Sequence, residues 1–325
     1  MSKRILTGIQ PSGILHIGNY FGAMRSAIEL QNQNPGNTFL FIADLHSLTV
    51  NPDPADLRMR IQRLALDFLA CGLDPEKTAF FRQSDIQGVC ELSWILNTIT
   101  NLGMLERAHS YKDKVAKGFV PNNGLFSYPV LMAADILIYK SDLVPVGKDQ
   151  KQHLEITRDL AIRFNQMYKK DVFTIPEPII SESVAVVPGT DGQKMSKSYN
   201  NTIELFGEEK AIRKKIMSIP TDSTPMEAPK DPDKCNIFAL YKLFSTQEQI
   251  DALAAKYRAG NFGYGHAKQA LFEAYMDFFA PMRKRREELL KDPGYLEEVL
   301  RKGAEKANAV AAVTMDKVRQ TVGLK

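Results

Sequence analysis

Two short segments, far apart in the chain, carry residue types suited to handling phosphate. The first is Pro11–Asn19, within the run GIQPSGILHIGNY. Gly8, Gly13 and Gly18 allow backbone to approach a ligand closely. A helix beginning near Gly18 offers unpaired N–H groups and the positive end of its dipole. His16 can donate to an oxygen that gains charge. Taken alone, this segment reads equally well as a glycine/proline turn with a surface histidine. The second segment, Lys194-Met195-Ser196-Lys197-Ser198, follows a turn containing Gly189 and Gly192. It sets two ammonium groups and two hydroxyls on one loop, an arrangement suited to the β- and γ-phosphates of ATP as charge moves onto departing pyrophosphate. Catalysis of that kind works by charge stabilisation and alignment, without a covalent step. A bare KxxK would be a solvated lysine turn; the full string KMSKS is more specific.

Between these segments lies Tyr128–Lys151, YPVLMAADILIYKSDLVPVGKDQK. Tyr128, Met132 and Asp135 fall at i, i+4 and i+7, on one face of a helix. A thioether suits the flat face of an aromatic ring. A carboxylate on the same face can accept from a buried donor, and indole offers only its N–H. Spacing alone favours a plainer reading, with Met132 in the core and Asp135 a helix-surface charge.

The elements that must position these groups alternate. Arg4–Gly8, Thr38–Ala43, Lys77–Gln83 and Leu143–Gly147 read as strands, and Val184–Val187 as a last short one closed by PGTDG. Ile17–Gln31, Asp56–Ala70, Glu91–Leu102, Pro129–Tyr139 and Lys151–Phe164 read as helices, with Pro129 at a first helical position. Such alternation predicts an α/β fold with a parallel sheet covered on both faces. Beyond Ser198 the chain is helix-forming and Lys/Glu/Ala-rich, which places a boundary near Asn200–Leu205.

Composition narrows the class. The 325 residues are 44% hydrophobic and 25% charged, with net charge +4. No apolar run reaches the ~20 residues of a membrane helix, and MSKRILTGIQ is not a signal peptide. The three cysteines, Cys71, Cys90 and Cys235, form no CxxC pair. They predict neither a disulfide framework nor a protein-ligated metal site, and imply a cytoplasmic setting. Basic residues cluster at Lys210–Lys215 and Arg283–Arg286, compatible with a polyanionic partner.

The segment HIGN at 16–19 resembles the HIGH-type signature of class I aminoacyl-tRNA synthetases, and KMSKS at 194–198 matches their second signature. Asn19 stands where the signature has its second histidine, as is usual in the tryptophan branch. YPVLMAADIL, VPVGKDQKQH, GIQPSG, IGNYFGA, ERAHSYKDK, ITRDLA and GAEKAN are similar to bacterial tryptophanyl-tRNA synthetases through most of the chain. The resemblance implies a Rossmann-type catalytic domain over 1–200 with a helical insertion at roughly 105–180. It also implies an all-α, anticodon-binding domain over 201–325, whose amphipathic stretch Glu305–Leu324 would pack back on the catalytic part.

Carried over by position, the resemblance makes His16, Asn19, Lys194 and Lys197 the catalytic set. Asp135 would receive the indole N–H, with Leu6, Met132 and Val144 along the ring and His46 nearby. Tyr128 and Gln150 would meet the ammonium, and Gln10 the carboxylate and α-phosphate. ATP would be held by Gln10, Pro11, Ser12, Gly18, Asn19, Lys114, Gly147, Lys148, Asp149, Val186 and Lys194–Ser198, including Met195 and Ser196. Mg²⁺ would ride on the phosphates. The implied partners are L-tryptophan, ATP and tRNA(Trp), in a homodimer joined around Pro129–Tyr139. Leu6, Leu45 and Lys148 depart from residues frequent in the family (Phe, Gln and Glu). A tyrosine-specific relative would show glutamine near Met132; a small-molecule adenylyltransferase would lack KMSKS; a silent tRNA-binding paralogue need not retain His16, Lys194, Lys197 and Asp135.

Overall fold

The computed structural model describes residues 3–108, 111–112, 116, 118, 121–147, 150–180 and 187–325. Its centre is a parallel five-stranded sheet of β1 (Ile5–Ile9), β2 (Thr38–Ile42), β3 (Thr78–Arg82), β4 (Leu143–Val146) and β5 (Glu177–Ile180), in the order β3-β2-β1-β4-β5. The chain winds outward from β1 to β3 and then returns to lay β4 on the other side of β1. Strand order therefore reverses between β1 and β4, and ligands of such sheets bind beyond the carboxyl ends at that switch point. Every residue of β2, TFLFI, is buried, as a parallel strand covered on both faces requires.

The helices are α1 (Pro54–Ala70), α2 (Val89–Thr98), α3 (Asn123–Leu137), α4 (Lys151–Tyr168), α5 (Glu209–Met217), α6 (Asn236–Tyr241), α7 (Gln247–Ala259), α8 (Tyr264–Leu290) and α9 (Pro293–Val322). The segment after β1 is helical in three pieces: Ile17–Asn19, a π-helical turn Tyr20–Met24, and Arg25–Gln33. The fold is thus a Rossmann-type α/β sheet followed by a helical region containing α7 and α8.

Two expectations need correction. The helix bearing Asp135 starts at Asn123, not Pro129, because Asn122 caps it by accepting from the Leu125 N–H at 2.7 Å. Pro129 sits inside the helix and forgoes one backbone bond. The sheet also contains β5, which was not expected. Its sequence EPII carries Pro178, tolerable on an edge strand because that edge needs no donor. Of the strand expected at Val184–Val187, residues 184–186 lie outside the described residues. Both β4 and β5 fall within 105–180 and belong to the sheet.

By contacts the chain forms two compact units, Met1–Gly13 with Ala27–Ser183 and Asp292–Lys325, and Ile14–Ser26 with Val184–Lys291. A division by task at residue 200 is therefore not a division by contact. In the first unit α9 packs on β3, as expected for the stretch Glu305–Leu324. Gly303 is needed there, since a Cβ would lie 1.9 Å from the Phe80 carbonyl oxygen. Ala304, Ala307 and Ala311 continue this small buried face. Arg82 pairs with Glu297, and the Asn308 amide accepts from Gln87 N–H at 2.8 Å and donates to the Asp85 carbonyl at 2.9 Å.

The second unit is built on aromatic rings. Tyr20, Phe21, Phe244, Tyr275, Phe278 and Phe279 meet mostly edge to face, with neighbouring centroids 4.9–6.0 Å apart. The Tyr275 hydroxyl meets the carbonyls of Glu204 and Leu205, both at 2.9 Å. Leu205 N–H in turn donates to Leu15 at 2.9 Å, and Ile17 N–H to Ile203 at 3.0 Å, which fixes the strand-like segment carrying His16. Among the described residues no helix is long and apolar enough to cross a membrane.

Gly303→Ala should therefore destabilise the protein by about 3 kcal/mol, because the clash is with strand backbone that cannot yield. Gly265→Ala in the first turn of α8, where a Cβ meets nothing within 4 Å, should be neutral or stabilise by up to about 1 kcal/mol. Urea unfolding of both variants checks the contrast.

Candidate active site

In the second unit the structure brings the two phosphate-handling segments into contact. A Cβ on Gly18 would meet His16 Nδ1 at 2.8 Å and Met195 Cβ at 3.3 Å, so only glycine allows this approach. The Asn19 side-chain oxygen accepts from the His16 backbone N–H at 3.0 Å. That bond orients the amide so that its NH₂ end is the one left to meet a ligand. His16 is buried, and among the described residues its Nδ1 has no partner. Burial, and then the nearby Lys197 cation, push the imidazole down to about 4. It is a neutral donor at physiological pH.

The KMSKS loop is shaped by its backbone. Pro188 and Lys194 bridge, and Met195 N–H donates to Val187 at 2.9 Å. Met195 is buried beneath the loop while Lys194 and Lys197 are exposed. Ser196 Oγ accepts from Ser198 N–H at 3.3 Å. The loop closes on Asn201, a residue the sequence analysis did not single out. Asn201 is 2% exposed; its Oδ1 accepts from Ser196 N–H at 2.8 Å. Its Nδ2 donates to Asp191 at 2.8 Å and to the Lys194 carbonyl at 3.1 Å. Gly189 makes room for it, since a Cβ there would sit 2.1 Å from that amide nitrogen.

In the first unit a second constellation gathers at the carboxyl ends of β1, β2 and β3 and on α3. Asp135 is 2% exposed, so the surface-charge reading favoured by spacing alone is overturned. His46 Nε2 lies 3.0 Å from Asp135 Oδ2. The Gln83 amide donates to Oδ1 at 2.9 Å and to Oδ2 at 2.8 Å. Burial raises the Asp135 carboxyl above the usual range, and the bonds from His46 and Gln83 oppose that rise. Leu6 and Val144 are buried in the same apolar cluster, with Met132 packed against it and half-buried.

The remaining expected residues are placed as follows. The Tyr128 hydroxyl meets His153 Nε2, and burial pushes the phenol up. The His46 ring stands edge-on to Tyr128 at 6.3 Å. Beyond β1, Gln10 and Ser12 are exposed and Pro11 buried, and Ser12 N–H closes on the Gln10 carbonyl at 2.8 Å. Gln150 N–H donates to the Gly147 carbonyl at 3.0 Å. Lys114, Lys148, Asp149 and Val186 lie outside the described residues. Gln83 and His153 were not foreseen. For Gln83 the available signal was a polar residue ending an otherwise apolar parallel strand.

Several basic and aromatic side chains of the second unit are engaged internally. Arg283 donates to the Gly207 carbonyl at 2.7 Å, Tyr264 to Asp222 at 2.9 Å, and Phe262 packs on Tyr257.

A family model described as "tRNA synthetases class I (W and Y)" matches residues 2–280. The tryptophan–tRNA ligase of Fusobacterium nucleatum is 54% identical over 322 residues, which are 99% of this chain and 98% of that protein. That of Campylobacter jejuni is 50% identical, covering 99% of this chain and all of its own length. Among solved structures, tryptophanyl-tRNA synthetase from Campylobacter jejuni complexed with ADP and tryptophan superimposes with TM-score 0.94 at 50% identity, over 98% of this chain and 99% of that one. The Mycoplasma pneumoniae enzyme does so with TM-score 0.80 at 34% identity, over 100% and 98%. With both signatures in contact and likeness over nearly the whole length, the chain belongs to the class I tRNA synthetases of the tryptophan and tyrosine group.

Proposed function

We propose that the protein is a tryptophan–tRNA ligase that forms tryptophanyl-adenylate and pyrophosphate from L-tryptophan and ATP, then transfers the aminoacyl group to tRNA(Trp). The observation that carries the substrate assignment is Asp135, a buried carboxylate on the face of α3 that also bears Met132. Within an apolar wall, an acceptor of this kind selects a ring that offers an N–H and nothing else. Leu6, Met132 and Val144 line the ring. Tyr128 and Gln150 orient the ammonium, and Gln10 the carboxylate.

The chemistry needs no side-chain nucleophile. The tryptophan carboxylate attacks the α-phosphorus, and negative charge develops on the departing pyrophosphate. Neutral His16 and the Asn19 amide donate to phosphate oxygen, while Lys194 and Lys197 supply positive charge from a loop whose shape is set before ATP arrives. Pro11, Ser12, Gly18, Met195, Ser196 and Ser198 shape the path of the triphosphate. Gly147, Lys148 and Asp149 hold the ribose side, Val186 the adenine, and Lys114 the terminal phosphates. Mg²⁺ enters with ATP, held by its phosphate oxygens, where it neutralises charge.

The catalytic task falls to residues 1–200. Helices of 201–325 read the anticodon, with cationic faces such as Lys284 and Arg285 supplying phosphate contacts. The exposed Trp94 and Leu102, at 71% and 68%, support a homodimer seam in the first unit. The setting is cytoplasmic.

Lys197→Ala should slow tryptophan-dependent pyrophosphate exchange by orders of magnitude while tryptophan affinity, read by calorimetry, stays near normal; equal loss of both in a folded variant counts against the assignment. An analogue with sulfur in place of the indole N–H should be a poorer substrate by about 10⁴ in kcat/KM. In Asp135→Ala the two substrates should converge to within about tenfold, and an undiminished preference for the indole would remove Asp135 as its reader. Because His16 is held at about 4, its imidazolium form is absent above about pH 5.5 and the neutral ring keeps a single N–H. Exchange should therefore show no inflection near pH 6.5 that His16→Gln abolishes.

A further inference from the structure

The Asp135 carboxylate faces a problem that its own helix does not solve. It is buried, it must stay ionised to act as a pure acceptor, and burial disfavours the charged form. The groups around it come from several elements. His46 Nε2 is 3.0 Å from Oδ2, while Asp44, itself buried, adds repulsion. Tyr139, within the same apolar cluster, and the Cys90 thiol on α2 both feel the Asp135 charge. Among the described residues only Gln83 is bonded to both carboxylate oxygens.

Gln83 cannot turn over. Its side-chain oxygen accepts from the backbone N–H of Leu45 at 3.1 Å and of His46 at 3.4 Å. With two fixed donors facing that oxygen, the amide nitrogen must face Asp135. The residue is 1% exposed and directly follows β3, so the turn after β3, the loop after β2 and the reader on α3 are joined through one amide.

We infer that Gln83 is a positioning residue that keeps the Asp135 carboxylate ionised and aimed, and thereby sets the pH range over which tryptophan is selected. This rests on the reading of Asp135 as acceptor for the indole N–H. Gln83 contacts no substrate; it acts through Asp135. Removing it leaves a buried carboxylate short of the donors that oppose its protonation. Hydrogen bonds to charged groups of this kind correspond to about 10- to 100-fold in an equilibrium.

The test is pyrophosphate exchange from pH 5.5 to 9, with the KM for tryptophan, the KM for ATP and kcat measured separately. In Gln83→Leu the tryptophan KM should rise about 10- to 100-fold and climb further as pH falls, while kcat and the KM for ATP stay within about twofold. Gln83→Glu should show the opposite slope. Protonated, the new carboxyl donates to Asp135 as the amide did; deprotonated, it sets two carboxylates in contact, so function should recover at low pH and fail as pH rises. A merely structural defect produces no such pair of opposed profiles. Tryptophan KM profiles in both variants parallel to that of the parent protein would overturn the inference. A fall in kcat together with a rise in both KM values would do so as well. The indole-to-sulfur analogue measured in Asp135→Ala keeps the two claims apart: if Asp135 fails there, the reading of the site fails, whereas if Asp135 passes and the Gln83 variants are flat, only this inference fails.

Discussion

The amino-acid side of the site depends on holding one carboxylate inside an apolar wall. Asp135 stands on a helix whose buried residues are otherwise Leu125, Pro129, Val130, Ala133, Ala134, Ile136 and Leu137. A charge in that position is costly unless every nearby donor is turned toward it. Two donors are supplied, and both come from the carboxyl ends of neighbouring parallel strands: His46 beyond β2 and Gln83 beyond β3. The strand order matters for this reason. It places β2 and β3 on one side of β1, so that their ends converge on one helix and correct one another's geometry.

The constellation of the second unit and that of the first solve different physical problems. The phosphate half meets a polyanion, and its cations can remain solvated until the ligand arrives. Lys194 and Lys197 are accordingly exposed, and the structure spends its precision on backbone, through Asn201 and the glycines at 18 and 189. The tryptophan half must distinguish rings that differ by one donor. It does so by desolvation, with side chains locked to one another and little left to solvent. Within its own unit, neutral His16 bridges the two styles, being buried like the reader but directed to phosphate chemistry.

Sequence made these halves legible to different degrees. HIGN and KMSKS are readable because close approach to phosphate admits few residues at each position, and Gly18 has no substitute against His16 and Met195. The strands β1 to β4 are readable as apolar runs. β5 was hidden because Pro176 and Pro178 interrupt it, and the start of α3 was misread because proline favours a first helical turn but is not confined to it. Asp135 could be placed on a face by spacing, yet nothing in its neighbours along the chain announces burial. His153 and Asn201 were invisible for a related reason, and Gln83 showed only as a polar residue after an apolar strand. Gln83 and His153 work on partners distant in sequence and Asn201 closes a nearby loop, yet glutamine, histidine and asparagine in a mixed local context look like ordinary surface.

The packing of α9 on β3 has a consequence for how the molecule comes into being. Asn308 and Asp85 are bonded across 223 residues of chain, and Val184–Lys291, the larger part of the second unit, lies between them in sequence. At ribosomal rates of about 5–20 residues per second, β3 emerges on the order of 10 to 45 seconds before the helix that covers it. Throughout that interval an apolar edge strand is open to pairing with another nascent chain. Gly303 lets α9 seat against the backbone of that edge, so one missing Cβ governs the last act of assembly as well as the stability of the finished fold.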